Sequence, residues 1–408
     1  MTCGLLGEKL THSYSPQIHQ LLGNTSYTLF EKTPEELASF LTQSDFTGIN
    51  VTIPYKQAVI AYCAELSPIA QKLGAVNTIV RRADGTLFGH NTDYFGFETM
   101  LRRSRLAVAG KKALVLGTGG ASKTVVAVLQ EHGSHVVAVS RSGKDNYSNL
   151  HLHSDASVIV NTTPVGMYPN TELTPLALDV FPQLEGVLDV IYNPSCTKLL
   201  QQAKERGLVT MNGLLMLVAQ AKESAQLFMQ QEISDDKIDE IYRKLRMQME
   251  NIVLIGMPGC GKSTVGALLA ALTGKHFVDA DAMIVEKAGR SIPEIFATQG
   301  EAAFRSLESA VLAELGSKSG LIIATGGGCV TRAENNAFLH RNGRTFCLHR
   351  ALESLATDGR PLSQTTPLEE LYRQRKPLYD SFADYHIDNN RLPQETAAEI
   401  LQIWEEIV

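Results

Sequence analysis

The stretch IGMPGCGKSTVG, residues 255–266, constrains the fold of this chain more than any other feature. Gly256, Gly261, Lys262 and Ser263 fit the pattern G-x-x-x-x-G-K-[ST], and the apolar run NIVLI leads directly into it. Such a loop cradles phosphates with its backbone N–H groups, while its lysine reaches the β- and γ-phosphates and its serine holds Mg²⁺. Because this loop normally follows the first strand of its domain, the residues before it are predicted to form a separate structure.

Composition and charge narrow the class of protein. A chain of 408 residues with 44% hydrophobic content is typical of a globular protein of two or three domains. The net charge is -6, and neither the part before residue 250 nor the part after it carries a basic excess, which argues against a nucleic-acid or anionic-membrane partner. No signal peptide and no transmembrane run of about 18 apolar residues is predicted. The six cysteines show no C-x-x-C spacing, so neither zinc nor disulfides are indicated and we expect a cytoplasmic protein with reduced thiols.

Strand-like runs alternate with helical patterns along the whole chain, which predicts an α/β fold with mostly parallel sheets. These runs include GINVTI, KALVLG, HVVAVS, SVIVNTT, GVLDVIY, NIVLIG, LIIATGGG and TFCLHR. Before the phosphate loop, SDDKIDEIYRKLRMQME repeats its apolar residues Ile238, Ile241, Tyr242 and Leu245 at helical spacing. It is predicted to be the terminal helix of the first half, with a domain boundary near residue 249.

A second nucleotide motif lies inside the first half. KALVLGTGGASKTVVAVLQEHGSHVVAVSR is typical of a strand, a glycine-rich turn, a helix and a strand, with Gly117, Gly119 and Gly120 in the turn. Ser122 stands where G-x-G-x-x-G has its third glycine. Backbone N–H groups and the helix dipole at such a turn hold a pyrophosphate, although small residues also serve plain packing. We therefore predict dinucleotide binding here.

The residues after the second strand of this unit indicate which dinucleotide is bound. NAD sites usually carry Asp or Glu there to bind the ribose, whereas this chain has Arg141, with Lys144 nearby. A cation at this point matches a 2′-phosphate, so NADP is favoured over NAD. The alternative is a solvated surface arginine.

Four polar clusters precede the dinucleotide unit and suit recognition of a polyhydroxylated small molecule. Lys56 and Asp93 within them offer an acid/base pair for reduction of a carbonyl. Each cluster alone is also compatible with local turn chemistry, because Asn, Ser and Thr favour loops. The clusters are SYSPQIH with Ser13 and Ser15, NVTIPYK with Asn50, Thr52 and Lys56, GAVNT with Asn77, and GHNTD with Asn91 and Asp93.

Residues 1–249 resemble shikimate dehydrogenases nearly end to end, through HSYSPQIH, NVTIPYK, GAVNT, NTDYFGF, GTGGASK, NTTPVGM, DVIYNP and NGLLMLVAQA in the family's order. Departures are Gln20, Tyr94 and Asn212, of which Tyr94 adjoins Asp93 and is expected to adjust the pocket mouth. The resemblance implies Lys56 and Asp93 as the catalytic pair and a set of ligand contacts. These are Ser13, Ser15, Thr52, Asn77, Asn91 and Gln220 for shikimate, and Gly117, Gly119, Gly120, Ala121, Ser122, Arg141, Lys144 and Met216 for NADP.

Beyond the phosphate loop, charged residues point to the phosphate acceptor. VDADAMI places Asp279 and Asp281 at the end of the next strand, where a period of two directs both to one side. Arg305, Arg360 and Arg375 follow, and guanidinium groups bind a carboxylate bidentately. Any one of these arginines could instead belong to a structural ion pair. Together they predict an acceptor that carries a carboxylate.

Residues 251–408 resemble shikimate kinases in the order and spacing of these motifs. The resemblance implies Arg305 and Arg375 on the shikimate carboxylate, Asp281 at the attacking hydroxyl, and Gly327 and Gly328 along the ring. It also implies Arg360 in a lid formed by ATDGRPLSQTTP, which would close to exclude water. The remaining implied residues are Gly259, Cys260, Gly261, Lys262, Ser263 and Thr264 around the phosphates, and Ser263 with Asp279 on Mg²⁺.

Together the two resemblances imply a bifunctional enzyme that uses NADPH, ATP and Mg²⁺, makes shikimate from 3-dehydroshikimate and then phosphorylates it. The predicted domains are 1–95 with helices at about 213–249 for substrate, 96–212 as a Rossmann-type NADP domain, and 250–408 as a P-loop kinase domain. The alternatives are a quinate-type dehydrogenase fused to another small-acid kinase, and a non-catalytic sensor. The sensor is disfavoured because Lys56, Asp93, Lys262 and Asp281 are all present. The oligomeric state is left open.

Overall fold

The computed structural model describes residues 2–10, 13–24, 26–355 and 367–407. Arg360 and nearly all of the predicted lid lie outside the described residues. The chain divides into two compact units, each made of several segments, and the second resumes at Arg243 inside the helix that precedes the phosphate loop. The first unit contains Met1–Gly166, Leu173–Tyr192 and Gln202–Tyr242, and the second contains Met167–Glu172, Asn193–Gln201 and Arg243–Val408.

The first unit begins with a mixed sheet in the strand order β2-β1-β3-β5-β6-β4. Its elements are β1 (Cys3–Gly7), α1 (Ser15–Leu21), β2 (Tyr27–Glu31), α2 (Pro34–Gln43), β3 (Gly48–Val51), β4 (Glu65–Leu66), α3 (Pro68–Leu73), β5 (Thr78–Arg81) and β6 (Leu87–His90). β1 pairs in parallel with β2 and β3, whereas β5 runs antiparallel to both β3 and β6. Leu6, Ile49 and Ile79 form its apolar core. Residues at the ends of β3, β5 and β6 carry the predicted substrate groups.

A second, fully parallel sheet completes the first unit in the order β11-β10-β9-β7-β8. The strands of this sheet and the helices around it are α4 (Asp93–Ser104), β7 (Lys112–Leu116), α5 (Gly120–Glu131), β8 (His135–Val139), β9 (Val158–Asn161), β10 (Gly186–Asp189), α6 (Lys198–Glu205), β11 (Val209–Met211) and α7 (Leu214–Met229). The first part of α6, up to Gln201, belongs to the second unit. Because β8 and β9 lie on opposite sides of β7, the strand order reverses at β7. Ligands of open α/β sheets bind at such a point, and the glycine turn follows β7.

The second unit holds a parallel sheet in the order β13-β14-β12-β15-β16. Its elements are α8 (Asp236–Met249), β12 (Asn251–Ile255), α9 (Lys262–Thr273), β13 (His276–Asp279), α10 (Ala280–Ala288), α11 (Ile292–Ser317), β14 (Leu321–Ala324), α12 (Glu334–Leu339), β15 (Gly343–His349), α13 (Leu368–Phe382), β16 (Tyr385–Asp388) and α14 (Pro393–Ile407). β12 is central and apolar, and the phosphate loop joins it to α9.

Two local features of the second unit matter for its site and its stability. Gly300 adopts φ +81° inside α11 and breaks the helix, so the part that carries Arg305 runs separately from the part before it. A segment from before α8 also belongs to this unit, because Ser195 N donates to Asn342 Oδ1 at 2.7 Å and Cys196 N donates to Arg341 O at 2.9 Å.

The predicted α/β fold class with mostly parallel sheets is confirmed. Each strand-like run quoted above contains a strand, and the sheets are parallel except for part of the first. Ile238, Ile241 and Leu245 are buried, as predicted from their helical spacing. Among the described residues, we find no helix with both the length and the apolar character that crossing a bilayer requires.

Candidate active sites

Lys56 and Asp93 form the centre of the candidate site in the first unit. Lys56 follows β3, Asp93 opens α4, and Lys56 Nζ lies 2.6 Å from Asp93 Oδ2, with only 20% and 11% of the two side chains exposed. A Cβ placed on Gly120, the first residue of α5, would contact Lys56 Cδ at 3.6 Å. The lysine therefore lies beside the turn that is predicted to bind the dinucleotide. A proton donor for a reaction of the bound dinucleotide would have to be in this place.

A buried network of neutral groups adjoins this pair. Asn77 Oδ1 accepts from Thr92 N at 2.7 Å and from Thr78 Oγ1 at 3.0 Å, while Asn77 Nδ2 donates to Thr92 Oγ1 at 3.0 Å. Thr92 Oγ1 also donates to Gln220 Oε1 at 3.4 Å. Thr92 therefore joins two predicted substrate residues, Asn77 and Gln220. Its importance was missed in the sequence, although it stands between Asn91 and Asp93 in the quoted motif.

The remaining predicted substrate residues lie at element ends. Ser15 opens α1, and its backbone N–H donates to Ser13 Oγ at 3.2 Å. Thr52 follows β3, and its N–H donates to Leu6 O at 2.9 Å. Asn91 is 1% exposed and donates from Nδ2 to Ala75 O at 2.9 Å, so its side chain stabilises the backbone near the site.

The glycine turn of the first unit has the geometry of a pyrophosphate cradle. Gly117 adopts φ +111°, and a Cβ there would meet Thr162 Oγ1 at 2.8 Å, so only glycine fits. Gly119 caps α5 and Ala121 lies in its first turn, where backbone N–H groups lack partners within the helix. Ser122 Oγ donates to Gly117 O at 2.7 Å. The serine at the third-glycine position thus fastens the turn to the helix.

The cations predicted to bind the 2′-phosphate lie on the loop after β8. Arg141 and Lys144 are exposed, and the loop is held by Gly143 N donating to Ser140 Oγ at 2.7 Å and Asn149 Nδ2 donating to Lys144 O at 2.8 Å. Two charges on a braced loop at the carboxyl end of β8 are placed where the ribose of a dinucleotide is expected.

Two further residues that the sequence singled out lie between helices of the first unit. Met216 is buried in α7, and a Cβ on Gly96 of α4 would approach Met216 O at 2.7 Å, so the glycine permits close packing of the two helices. Tyr94 packs on the apolar cluster that contains Phe97, and burial raises the pKa of its hydroxyl.

In the second unit, the phosphate loop opens into a cavity of about 430 Å³. Of the residues predicted for this site, Cys260 does not line the cavity: it is fully buried, and its carbonyl accepts from Asn389 Nδ2 at 2.5 Å. The predicted residues that line it together are Gly259, Gly261, Lys262, Ser263, Thr264, Asp279, Asp281, Arg305, Gly327, Gly328 and Arg375.

The phosphate side of this cavity carries an ammonium and a hydroxyl–carboxylate pair. Lys262 Nζ donates to Gly256 O at 2.9 Å and Met257 O at 3.0 Å, and Ser263 Oγ lies 2.7 Å from Asp279 Oδ2. Hydroxyl and carboxylate oxygens are the ligands that Mg²⁺ takes beside nucleotide phosphates, so the pair fits this ion.

The sequence prediction for Asp281 was wrong in its local structure. Asp279 ends β13, but Asp281 belongs to α10 and not to the strand. Asp279 Oδ1 caps that helix by accepting from Asp281 N at 3.0 Å and Ala282 N at 3.3 Å. The cap turns the chain so that both carboxylates still line one cavity.

The acceptor side holds two buried arginines. Arg305 Nη1 donates to Glu308 Oε2 at 2.7 Å, and Arg375 Nη1 donates to Gly327 O at 3.1 Å. Burial opposes the charge of Arg305, yet the carboxylates of Glu308 and Glu301 keep its pKa above the usual value. Burial raises the pKa of the Glu308 carboxyl, and the charge of Arg305 counteracts this rise.

Glycine is required at the positions after β14 because neighbouring atoms lie too close for a side chain. A Cβ on Gly327 would meet Pro258 Cδ at 2.6 Å, and one on Gly328 would overlap the Arg305 guanidinium. A Cβ on Gly326 would meet Glu308 Oε1 at 2.6 Å and Asp281 Oδ1 at 2.7 Å. These glycines leave space into which the charged side chains project.

Sequence reasoning missed two charged residues of this cavity, Glu308 and Arg350. Glu308 follows Arg305 by three positions on α11, a spacing that pairs opposite charges on one helix face and could have identified it. Arg350 follows β15, and its Nη1 lies 3.7 Å from where a Cβ on Gly261 would be. Nothing in the sequence around Arg350 indicates that position.

Comparison with known proteins finds a family match in each of the two parts of the chain. The shikimate dehydrogenase substrate-binding domain matches residues 5–79, and shikimate kinase matches residues 258–405. The NADP(+)-dependent shikimate dehydrogenase of Clostridium beijerinckii is 36% identical over 259 residues, which cover 59% of this chain and 96% of that protein.

Solved structures extend this similarity. Shikimate dehydrogenase 1 of Peptoclostridium difficile superposes with a TM-score of 0.56 at 37% identity, covering 60% of this chain and 98% of its own. Shikimate 5-dehydrogenase of Thermus thermophilus, solved with NADP(H) and shikimate, gives 0.55 at 32% identity and covers 60% and 99%. The chain therefore belongs to the shikimate dehydrogenase family and carries a shikimate kinase domain after it.

Proposed function

We propose that this chain catalyses two consecutive reactions. The first unit reduces 3-dehydroshikimate to shikimate with NADPH, and the second transfers the γ-phosphoryl group of ATP to shikimate, giving shikimate 3-phosphate. The observation that carries the proposal is that one chain places a Lys–Asp pair beside a dinucleotide turn and a pair of buried arginines opposite a phosphate loop.

In the dehydrogenase site, bound NADPH supplies the hydride that reaches the carbonyl carbon of the substrate. As the carbonyl oxygen gains negative charge, the ammonium of Lys56 stabilises it and donates a proton from Nζ. Asp93, 2.6 Å from that nitrogen, orients the lysine before transfer. Asn77 and Gln220, joined through Thr92, position the ring hydroxyls of the substrate.

In the kinase site, bound ATP would supply the phosphoryl group and Mg²⁺ would neutralise charge on its phosphates, with Ser263 and Asp279 as the residues that would hold the ion. Arg305 and Arg375 bind the carboxylate of shikimate, and the glycines after β14 leave room for the ring. Asp281 accepts the proton of the attacking hydroxyl. Lys262 binds the β- and γ-phosphates through its ammonium.

We further propose three domains, with residues 1–95 and about 213–249 binding the substrate, 96–212 binding NADP, and 250–408 forming the kinase. The partners are small molecules. A cytoplasmic location is also a proposal, and it is supported by six free cysteines, of which all but Cys63 are buried.

A single reaction mixture tests the proposed function. Intact protein with 3-dehydroshikimate, NADPH, ATP and Mg²⁺ is expected to yield shikimate 3-phosphate by mass spectrometry. Omitting ATP should leave shikimate, and omitting NADPH should leave the starting ketone. Parallel assays with quinate and NAD⁺ test the quinate-type alternative, which would be favoured if quinate were oxidised faster than shikimate.

A further inference from the structure

Three potential metal ligands meet on the kinase sheet, outside the proposed catalytic groups. Cys347 and His349 are two residues apart on β15, so both side chains project from one face of the strand. His386 on β16 is the registered partner of Cys347 and therefore shares that face. The sulfur and ring nitrogens that could bind an ion all lie within 4.8 Å of one another.

The spacing of these atoms is close to that of a tetrahedral site. His349 Nε2 and His386 Nδ1 are 2.7 Å apart, and their rings are stacked with centroids 5.0 Å apart. A zinc ion with bonds of about 2.0–2.3 Å holds its ligand atoms roughly 3.3–3.8 Å apart. Side-chain movements of about 1 Å would thus convert the imidazole–imidazole hydrogen bond into two metal bonds.

The three potential ligands can be reached by an ion from solvent, and nearby carboxylates balance the positive charge around them. Cys347 is buried, His349 is half-buried and His386 is exposed, so the thiol lies at the base of a site that opens to solvent. Asp380 on α13 interacts electrostatically with both histidines, and its carboxylate is 2.6 Å from Lys376 Nζ. Asp388, opposite His349 in the strand register, adds a second negative group. The cation that faces the cluster from α13 is thus paired with a carboxylate.

We propose that Cys347, His349 and His386 form a binding site for a divalent transition metal ion of the zinc class. One thiolate and two imidazoles match the ligand preference of Zn²⁺ and Co²⁺, whereas Mg²⁺ prefers oxygen, so the site is distinct from the one that serves ATP. Three protein ligands leave a fourth position for water, which makes the ion exchangeable. Binding releases the thiol proton to solvent.

The sequence did not indicate this site because its ligands come from two strands. Cys347 and His349 are close together on one strand, but His386 is distant in sequence and reaches them only through the pairing of β15 with β16. Leu348, between the two β15 ligands, lies against the phosphate loop, since a Cβ on Gly256 would meet Leu348 O at 2.6 Å. A metal ion here would therefore stabilise the strand that supports that loop.

Titration of the intact, chelator-treated protein with Co²⁺ tests the proposal. We expect one equivalent to bind with a near-ultraviolet sulfur-to-cobalt charge-transfer band and visible bands of tetrahedral cobalt, both lost when Zn²⁺ is added. Zn²⁺ should also raise the Tm of the kinase unit, because an ion that binds only the folded state stabilises it. Wild-type protein without a charge-transfer band would overturn the proposal.

Substitutions locate the ion. Cys347→Ser should abolish the charge-transfer band, and His386→Gln should weaken Co²⁺ binding by about tenfold or more. Because His386 is exposed, His386→Gln is expected to fold even if the buried substitution does not. Cys63→Ser and His276→Ala, in other elements, should bind like wild type. Unchanged affinity and spectrum in His386→Gln would assign the cobalt to another cysteine and overturn the site.

Discussion

The two candidate sites, which we propose bind the same molecule, differ in physical character. The dehydrogenase site surrounds its Lys–Asp pair with buried amides and hydroxyls, which are held by backbone groups at strand ends. The kinase site holds charged groups against one another, with Arg305 against Glu308 and both beside glycines that leave them room. Removing one member of a buried neutral network costs about 1–3 kcal/mol for each group left unpaired, whereas a buried charge left without its partner costs about 3–5 kcal/mol. The two sites should therefore differ in how they tolerate substitution.

Lys56→Ala should have the largest effect and should separate the two activities. Loss of the proton donor is expected to lower the reduction rate by roughly 10²–10⁴-fold. Phosphorylation of shikimate should remain near wild type, and Lys72→Ala, which removes an exposed lysine paired with Glu131, should change neither rate. Substantial reductase activity in Lys56→Ala, measured by NADPH oxidation, would contradict the assigned role.

Asp281→Asn is the corresponding test in the kinase site. Without its carboxylate the proton of the attacking hydroxyl has no acceptor, so kcat for phosphorylation should fall by roughly 10²–10⁴-fold. ATP affinity should persist because the phosphate loop is intact. Glu286→Gln, exposed on the same helix, is the control. A collapse of ATP affinity with normal turnover at saturation would place Asp281 in the nucleotide site instead.

Glu308→Ala addresses the charged network directly. Glu308 is 1% exposed, and among the described residues its removal leaves the buried Arg305 with the half-exposed Glu301 as its carboxylate partner. We therefore expect a loss of about 3–5 kcal/mol in the stability of the kinase unit. Glu301→Ala removes the more exposed partner and should cost at most about 1 kcal/mol. Equal denaturation midpoints for the two variants would contradict the larger stabilisation expected from the buried Arg305–Glu308 pair.

Arg141→Ala should weaken NADPH binding without altering the chemistry. A hydrogen bond to a charged group contributes enough for the KM for NADPH to rise about ten- to a hundredfold, while the KM for NADH stays the same. Arg102→Ala, an exposed arginine on α4, is the control. If the KM for NADPH does not change, Lys144 or another cation binds the 2′-phosphate.

Thr92→Val should have the smallest effect and tests the neutral network. It removes the hydroxyl that links Asn77 and Gln220, and a neutral hydrogen bond is worth so little net that the KM for shikimate should rise only about two- to tenfold. Thr92→Ser keeps the hydroxyl and should resemble wild type. A loss of stability as large as that of Glu308→Ala would show that the neutral and the charged networks do not differ in their tolerance of substitution.

Sequence reasoning was most successful where a motif fixes the backbone. The strands before both glycine turns and the turns themselves follow from short contiguous motifs. In these places local chain geometry decides which groups meet. The same holds for the glycines after β14, whose close contacts forbid a side chain.

What the sequence did not show depends on tertiary placement. Arg350 and His386 reach their neighbours because parallel strands align distant residues, and no local pattern encodes that alignment. Asp281 was assigned to a strand because period-two spacing continues through Asp279, but the helix cap formed by Asp279 ends the strand first. The helix cap, and not the period-two pattern of the same residues, thus determines where the strand ends.

The division of the second unit into separate segments affects the order of events during synthesis. Met167–Glu172 and Asn193–Gln201 leave the ribosome long before the sheet of the second unit, the unit to which they belong. At roughly 5–20 residues per second, the last strand of that sheet follows Gln201 by about 190 residues and therefore by roughly 10–40 s. For roughly the first 140 of those residues Arg341 and Asn342 have not yet been made, so the main-chain N–H groups of Ser195 and Cys196 cannot form their hydrogen bonds to them. The segment must therefore stay soluble in the nascent chain until those residues have been made. A pause in translation after Gln201 should leave the segment accessible to proteases and chaperones.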